Sequence, residues 1–132
     1  MAVEFMRGRP DNPTDWYAFA KRDLEKAKKD LAAGESLYAV LLLQQASEKL
    51  LKGKLVDLGE NPEKTHNLPY LITRIGAHGN DLEWFRKTAE FLSYEYLAER
   101  YPGDFDPPPT DAEASEALAD VMRLFDLIDP LK

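Results

Sequence analysis

The stretch LYAVLLLQQASEKLLKGKLVDLG, residues 37–59, decides the fold. No proline or turn cluster interrupts it before its closing glycine, so it reads as one long helix. The first half is apolar around most of its circumference, through Leu37, Tyr38, Val40, Leu41, Leu42 and Leu43. A helix with that pattern needs neighbours on several sides, so it is expected to be the central rod of a helical fold. Gln44, Gln45, Glu48, Lys49 and Lys52 then enter the same helix midway. With Ser36 as its start and Gly59 as its stop, the rod is about 34 Å long at 1.5 Å per residue.

Working outward, Asn12, Pro13 and Asp15 open an earlier helix with a cap residue, a proline at the first position and an acid in the first turn. Trp16, Ala20, Leu24, Ala27 and Leu31 form its stripe, and Gly34 ends it. After a turn at Asn61 and Pro62, Asn67 caps a short helix over residues 67–75, closed by Gly76 and Gly79. A fourth helix is expected over residues 81–100, with Leu82, Phe85, Ala89, Leu92 and Tyr96 on one side and Trp84, Phe91 and Tyr94 on neighbouring faces. Pro107, Pro108 and Pro109 form an extended connector. Thr110 and Glu113 then read as a capping box before a fifth helix that buries Ala114, Leu118, Val121, Phe125 and Ile128 and stops at Pro130. No segment reads as a strand. The fold expected is an all-α, up-and-down antiparallel bundle of about five helices, four-helix-bundle-like, forming a single domain over residues 1–132. Residues 1–11 are expected to be a flexible extension.

Composition narrows the function. The 132 residues contain no cysteine, which removes disulfides, thiolate–zinc sites, iron–sulfur clusters and thiol catalysis. The net charge is −7, yet residues 1–66 are balanced, with 11 basic and 11 acidic side chains, while residues 67–132 carry 6 and 13. Such a chain is a poor candidate for tracking duplex phosphates, although a local cationic site remains open. The longest apolar run is far too short to span a bilayer and the N-terminal residues do not form a signal peptide, so a cytoplasmic protein with no membrane association is expected. Two glutamines, nine prolines and many charges hint at a thermophilic source. The apolar surplus of the central helix is covered either within the domain or by a second copy, and a homodimer is the expectation.

The polar stretch of the long helix has two readings. Gln45, Glu48, Lys49 and Lys52 stand at i, i+3, i+4 and i+7 and share a face. They form either a solvated face with one weak Glu48–Lys52 pair, or the wall of a crevice where amides meet a base or ribose and a lysine meets a phosphate. His66, beside the Asn67 cap, is a packing or capping residue or part of such a site. His78, between glycines, reads as a solvated loop residue. Arg100, Tyr101 and Pro102 end the aromatic helix, either as a charge-complemented C-terminus or as a phosphate fork beside a stacking ring. Asp104, Asp106 and Asp111 read as an acidic loop rather than a cation site. HExxH, Walker, GxGxxG and GxSxG patterns are absent, and no metal spacing exists.

Three pieces in order, QQASEKLLKGKLVDLG (44–59), KTHNLPYL (64–71) and YLAERYPGD (96–104), together with the opening WYAFAKRDLEKAKKDLAAGESLYAV, resemble the HEPN family, the higher-eukaryote and prokaryote nucleotide-binding domain. The likeness is to its small stand-alone prokaryotic type and covers nearly the whole chain. The resemblance implies a bundle built on a long central helix pair, dimerisation, and operation beside a separately encoded minimal, MNT-type nucleotidyltransferase, as a toxin–antitoxin pair or a two-part system. It further implies that Gln45, Glu48, Lys49, Lys52, His66, Arg100 and Tyr101 gather at a nucleotide- or partner-binding groove. Many relatives are metal-independent ribonucleases with a histidine four to six positions after an arginine. Here Arg100 is followed by Tyr101, Pro102, Gly103, Asp104, Phe105 and Asp106, without a histidine. The reading is therefore a non-catalytic module that binds a nucleotide or presents a substrate, with no metal or other cofactor. A divergent ribonuclease acting on RNA and a purely structural interaction module are the alternatives.

Overall fold

A computed structural model describes residues 12–62, 64–100 and 107–129. The expected extension over residues 1–11, together with Tyr101, Pro102, Gly103, Asp104, Asp106 and Pro130, lies outside the described residues. Helix α1 (Pro13–Ala32) starts where the Asn12 side chain accepts a hydrogen bond from the Thr14 N–H at 2.9 Å. It ends in paired 6→1 and 5→2 bonds, Glu35 N–H to the Asp30 carbonyl and Gly34 N–H to the Leu31 carbonyl. Gly34 makes that turn at φ +79°, a conformation other residues adopt only with strain. Helix α2 (Ser36–Asp57) ends the same way, with Gly59 at φ +90°. The two form a hairpin of long helices joined by three residues.

Helix α3 (Leu68–Gly76) is capped by Asn67, whose side chain accepts from the Tyr70 N–H at 3.1 Å. The next segment departs from the single helix expected over residues 81–100. Residues Glu83–Phe85 form a 3-10 turn, and α4 (Arg86–Ala98) begins only after it. The Asp81 carboxylate accepts from the Glu83 N–H at 2.9 Å, offering the backbone a local turn in place of the helical ladder. Phe85, fully buried, anchors that turn to the core. Helix α5 (Asp111–Ile128) opens with the expected capping box, in which Thr110 and Glu113 each bond the other's backbone N–H. No strand occurs among the described residues.

Helix α2 packs against α1, α3, α4 and α5, which explains its apolar circumference. Leu43, Leu50 and Leu51 of α2 join Leu71, Ile72 and Ile75, Phe85 and Leu92, and Leu124 in one core. Gly53 lets α1 come close: a Cβ there would lie 2.8 Å from both Trp16 Cβ and Tyr17 Cε1. Tyr17 enters the core, while Trp16 of the expected stripe is only half-buried.

Candidate functional site

An open groove of about 560 Å³ runs between α1, α2 and the end of α4. Each helix contributes a short stripe at helical spacing. Lys26 and Asp30 come from α1, Tyr38, Leu41, Leu42 and Gln45 from α2, and Tyr96 with Arg100 from α4 and its C-terminus. The α2 set falls at i, i+3, i+4 and i+7, one face of the rod. Arg100 folds back over Tyr96: its guanidinium carbon is 3.9 Å from the ring centroid and Nη2 donates to the Tyr96 hydroxyl at 2.6 Å. The groove thus offers two cations, one carboxylate, one amide and two aromatic rings over a leucine floor.

Behind it lies a polar relay on the next face of α2, buried at Gln44, Glu48 and Lys52 and open to solvent at His66, whose side chain is 57% exposed. The Glu48 carboxylate, 7% exposed, faces three donors. Lys52 Nζ donates at 2.8 Å, Gln44 Nε2 at 3.1 Å, and His66 Nδ1 lies at 2.8 Å. Gln44, fully buried, also donates from Nε2 to the His66 carbonyl at 3.3 Å, and its Oε1 accepts from Gln45 Nε2 at 2.6 Å. Mutual pairing lets Gln44, Glu48 and Lys52 be buried without the cost of an orphaned charge. The His66 ring stands 5.2 Å from that of Tyr96, so imidazole and guanidinium both contact one tyrosine.

The sequence-predicted residues therefore separate. Gln45 and Arg100 share the groove, while Glu48, Lys52 and His66 build the relay behind it. Lys49 turns instead to α1, where Nζ meets Asp23 Oδ2 at 2.5 Å. Tyr101 lies outside the described residues. His78, exposed as expected, also bonds Glu60 through Nε2, and Arg74 meets the other oxygen of the same carboxylate. These partners, the His78 hydrogen bond first, hold the Glu60 carboxyl below its ordinary value. Sequence reasoning missed Lys26, Asp30, Tyr38 and Tyr96 as groove residues. The available signal was the i, i+4 spacing of Lys26 with Asp30 and of Tyr96 with Arg100, and the continuity of the Tyr38 stripe into Gln45.

The HEPN domain model matches residues 14–131. This chain belongs to the HEPN family. Two solved structures are similar to it. TT1696 from Thermus thermophilus superposes with a TM-score of 0.78 at 26% identity, over 89% of this chain and 95% of that one. ST0689, described as an archaeal HEPN homologue, gives 0.71 at 26% identity, over 89% of this chain and 94% of its own. No curated protein matches. Among the described residues of this HEPN chain, no helix is long and apolar enough to cross a membrane.

Proposed function

We propose that this HEPN protein is a nucleotide-binding or substrate-presenting module that acts as a homodimer beside a separately encoded nucleotidyltransferase, in a toxin–antitoxin-like or two-part system. The observation that carries this reading is the groove in which Arg100 and Lys26 stand with Gln45, Tyr38 and Tyr96. The cations suit phosphates, the rings suit a base plane, and the amide suits a base edge or ribose. The volume lies within the range of about 300–1,000 Å³ usual for small-ligand pockets. Calorimetry with nucleoside triphosphates tests it. Wild type should bind, and Arg100→Ala should weaken binding by roughly 10- to 100-fold, the loss of one charge-assisted contact worth about 1.5–3 kcal/mol. Absence of heat in wild type, or equal affinity in both, overturns the reading.

One observation favours a second reading. His66 and Arg100 flank Tyr96 although no histidine follows Arg100 in sequence. With Nδ1 directed at the Glu48 carboxylate, the neutral imidazole carries its lone pair on Nε2, the form of a general base. RNA cleavage insensitive to EDTA, and lost in both His66→Ala and Arg100→Ala, would support this ribonuclease reading over the non-catalytic one.

A further inference from the structure

Beyond the rings of the groove, a second stacking surface stands on α1. The Arg22 guanidinium carbon lies 4.4 Å from the centroid of the Phe19 ring. Residues three apart on a helix are neighbours, and the ring holds the planar fork against the surface. Phe19 is half-buried and Arg22 exposed, so the outer plane of the guanidinium is turned to water. Such a plane receives a nucleobase by stacking, whatever the base.

This platform and the groove lie along one crevice. Phe19, Asp23, Lys26 and Asp30 stand at i, i+4, i+7 and i+11, a single face of α1, and the last two line the groove. Because α1 and α2 run antiparallel as a hairpin, a step from Lys26 back to Asp23 on α1 matches a step from Gln45 on to Lys49 on α2. The ion pair of Lys49 with Asp23, at 2.5 Å, marks that crossing. Lys26, Lys49 and Arg22 thus form a row of cations leading out of the groove, and the Asp23 carboxylate among them is matched by Lys49. Arg22 and Lys26 make no ion pair among the described residues. Cations between two stacking surfaces suit phosphate between two bases.

Spacing decides the form of such a ligand. Phe19 and Lys26, at i and i+7, are about 10 Å apart along the helix axis. Successive bases in a duplex strand follow at about 3.4 Å. Two bases that reach both surfaces are therefore splayed apart, which single strands and nucleosides joined by a polyphosphate allow and a paired duplex does not.

Resting on the nucleotide-binding reading above, we infer that the site extends past the Lys49–Asp23 pair to Arg22 on Phe19, and takes two bases joined through phosphate in preference to a single nucleotide. Tyr38 and Tyr96 receive the first base, Lys26 and Lys49 the joining phosphate, and Arg22 the second base.

Calorimetry on the full chain tests this with ligands matched in phosphate number. The dinucleotide pApA is set against ADP, and diadenosine tetraphosphate against adenosine tetraphosphate. At least one two-base ligand should bind about tenfold more tightly than its one-base counterpart, the worth of one added stack. A gain confined to pApA identifies a strand as the form taken, and a gain confined to the tetraphosphate identifies a dinucleoside polyphosphate; either supports the extended site, as does a gain for both. Arg22→Ala should abolish the gain. Arg123→Ala, which removes a likewise exposed guanidinium from the Trp84 ring, should keep it. Phe19 ring resonances give a check free of substitution: the two-base ligand should shift them and its one-base counterpart should not. Equal affinities within each pair, with the one-base ligands binding, overturn the second platform and leave nucleotide binding standing. A gain that survives Arg22→Ala, or Phe19 resonances unmoved at saturation, overturns the assignment of the second base. No binding of any of the four overturns both readings.

Discussion

Gly53 concentrates the packing of the two long helices at one residue. Glycine inside a helix ordinarily weakens it by roughly 0.5–1 kcal/mol relative to alanine. At this position the sign reverses, because an added methyl would meet the Trp16 Cβ and the Tyr17 ring at 2.8 Å. Neither neighbour can yield without shifting α1. Gly53→Ala is expected to destabilise by about 1–3 kcal/mol, the usual cost of overpacking, read as a lower urea midpoint with an unchanged slope. A stabilised variant would show that α1 has room to move. Glu48 is the polar counterpart. From sequence it reads as half of an i, i+4 pair with Lys52, worth little in solvent. Buried under three donors, it becomes the hub on which Lys52, Gln44 and His66 all depend.

The elements stop and start largely as local chemistry dictates. Asn12, Asn67 and Thr110 each accept from a first-turn N–H, and Gly34 and Gly59 turn the chain after the two long helices. The exception is the 3-10 turn before α4, where the Asp81 side chain competes with the helical ladder. Beyond α2, Glu60 ties the connecting segment to Arg74 at the end of α3 and to His78 just past it. Its folded carboxyl titrates below the ordinary value of 4.5 that the unfolded chain retains. The stabilisation is thus fully present above that value and is lost as pH falls through the lower folded one. Stability measured against pH should fall in this acid window for wild type and fall less steeply for Glu60→Gln. Superimposable profiles would mean that the tie contributes nothing to folding.

At the scale of the whole molecule, several large apolar side chains stand in solvent. Tyr38, on the groove wall, and Tyr94 and Leu97 on α4 are all exposed large hydrophobic residues. A second copy packed over these side chains would remove them from water. Sedimentation at micromolar concentration is expected to give a species of twice the 15.0 kDa chain mass, reduced to the monomer by Leu97→Asp. A wild-type monomer would leave the groove a single-chain site and remove the dimer from the proposal. The acidic second half of the chain does not prevent a cationic groove, because Lys26 and Arg100, 74 positions apart in sequence, are brought to the same rim.

The helices follow from local sequence alone. Periodicity, caps and terminal glycines are local properties, written within a few residues of where they act, and the apolar circumference of residues 37–43 marked α2 as the centre. The fate of the polar stretch that follows depends on packing. Residues one position apart on a helix differ in direction by about 100°. That step parts Gln44 from Gln45, but Gln45, Glu48 and Lys49 share one face, and there the neighbouring helices decide: Gln45 lines the groove, Glu48 joins Gln44 in the relay, and Lys49 meets the carboxylate on α1. Which helix fills each of those directions is a matter of packing between distant segments, and no local pattern of amides and charges encodes it.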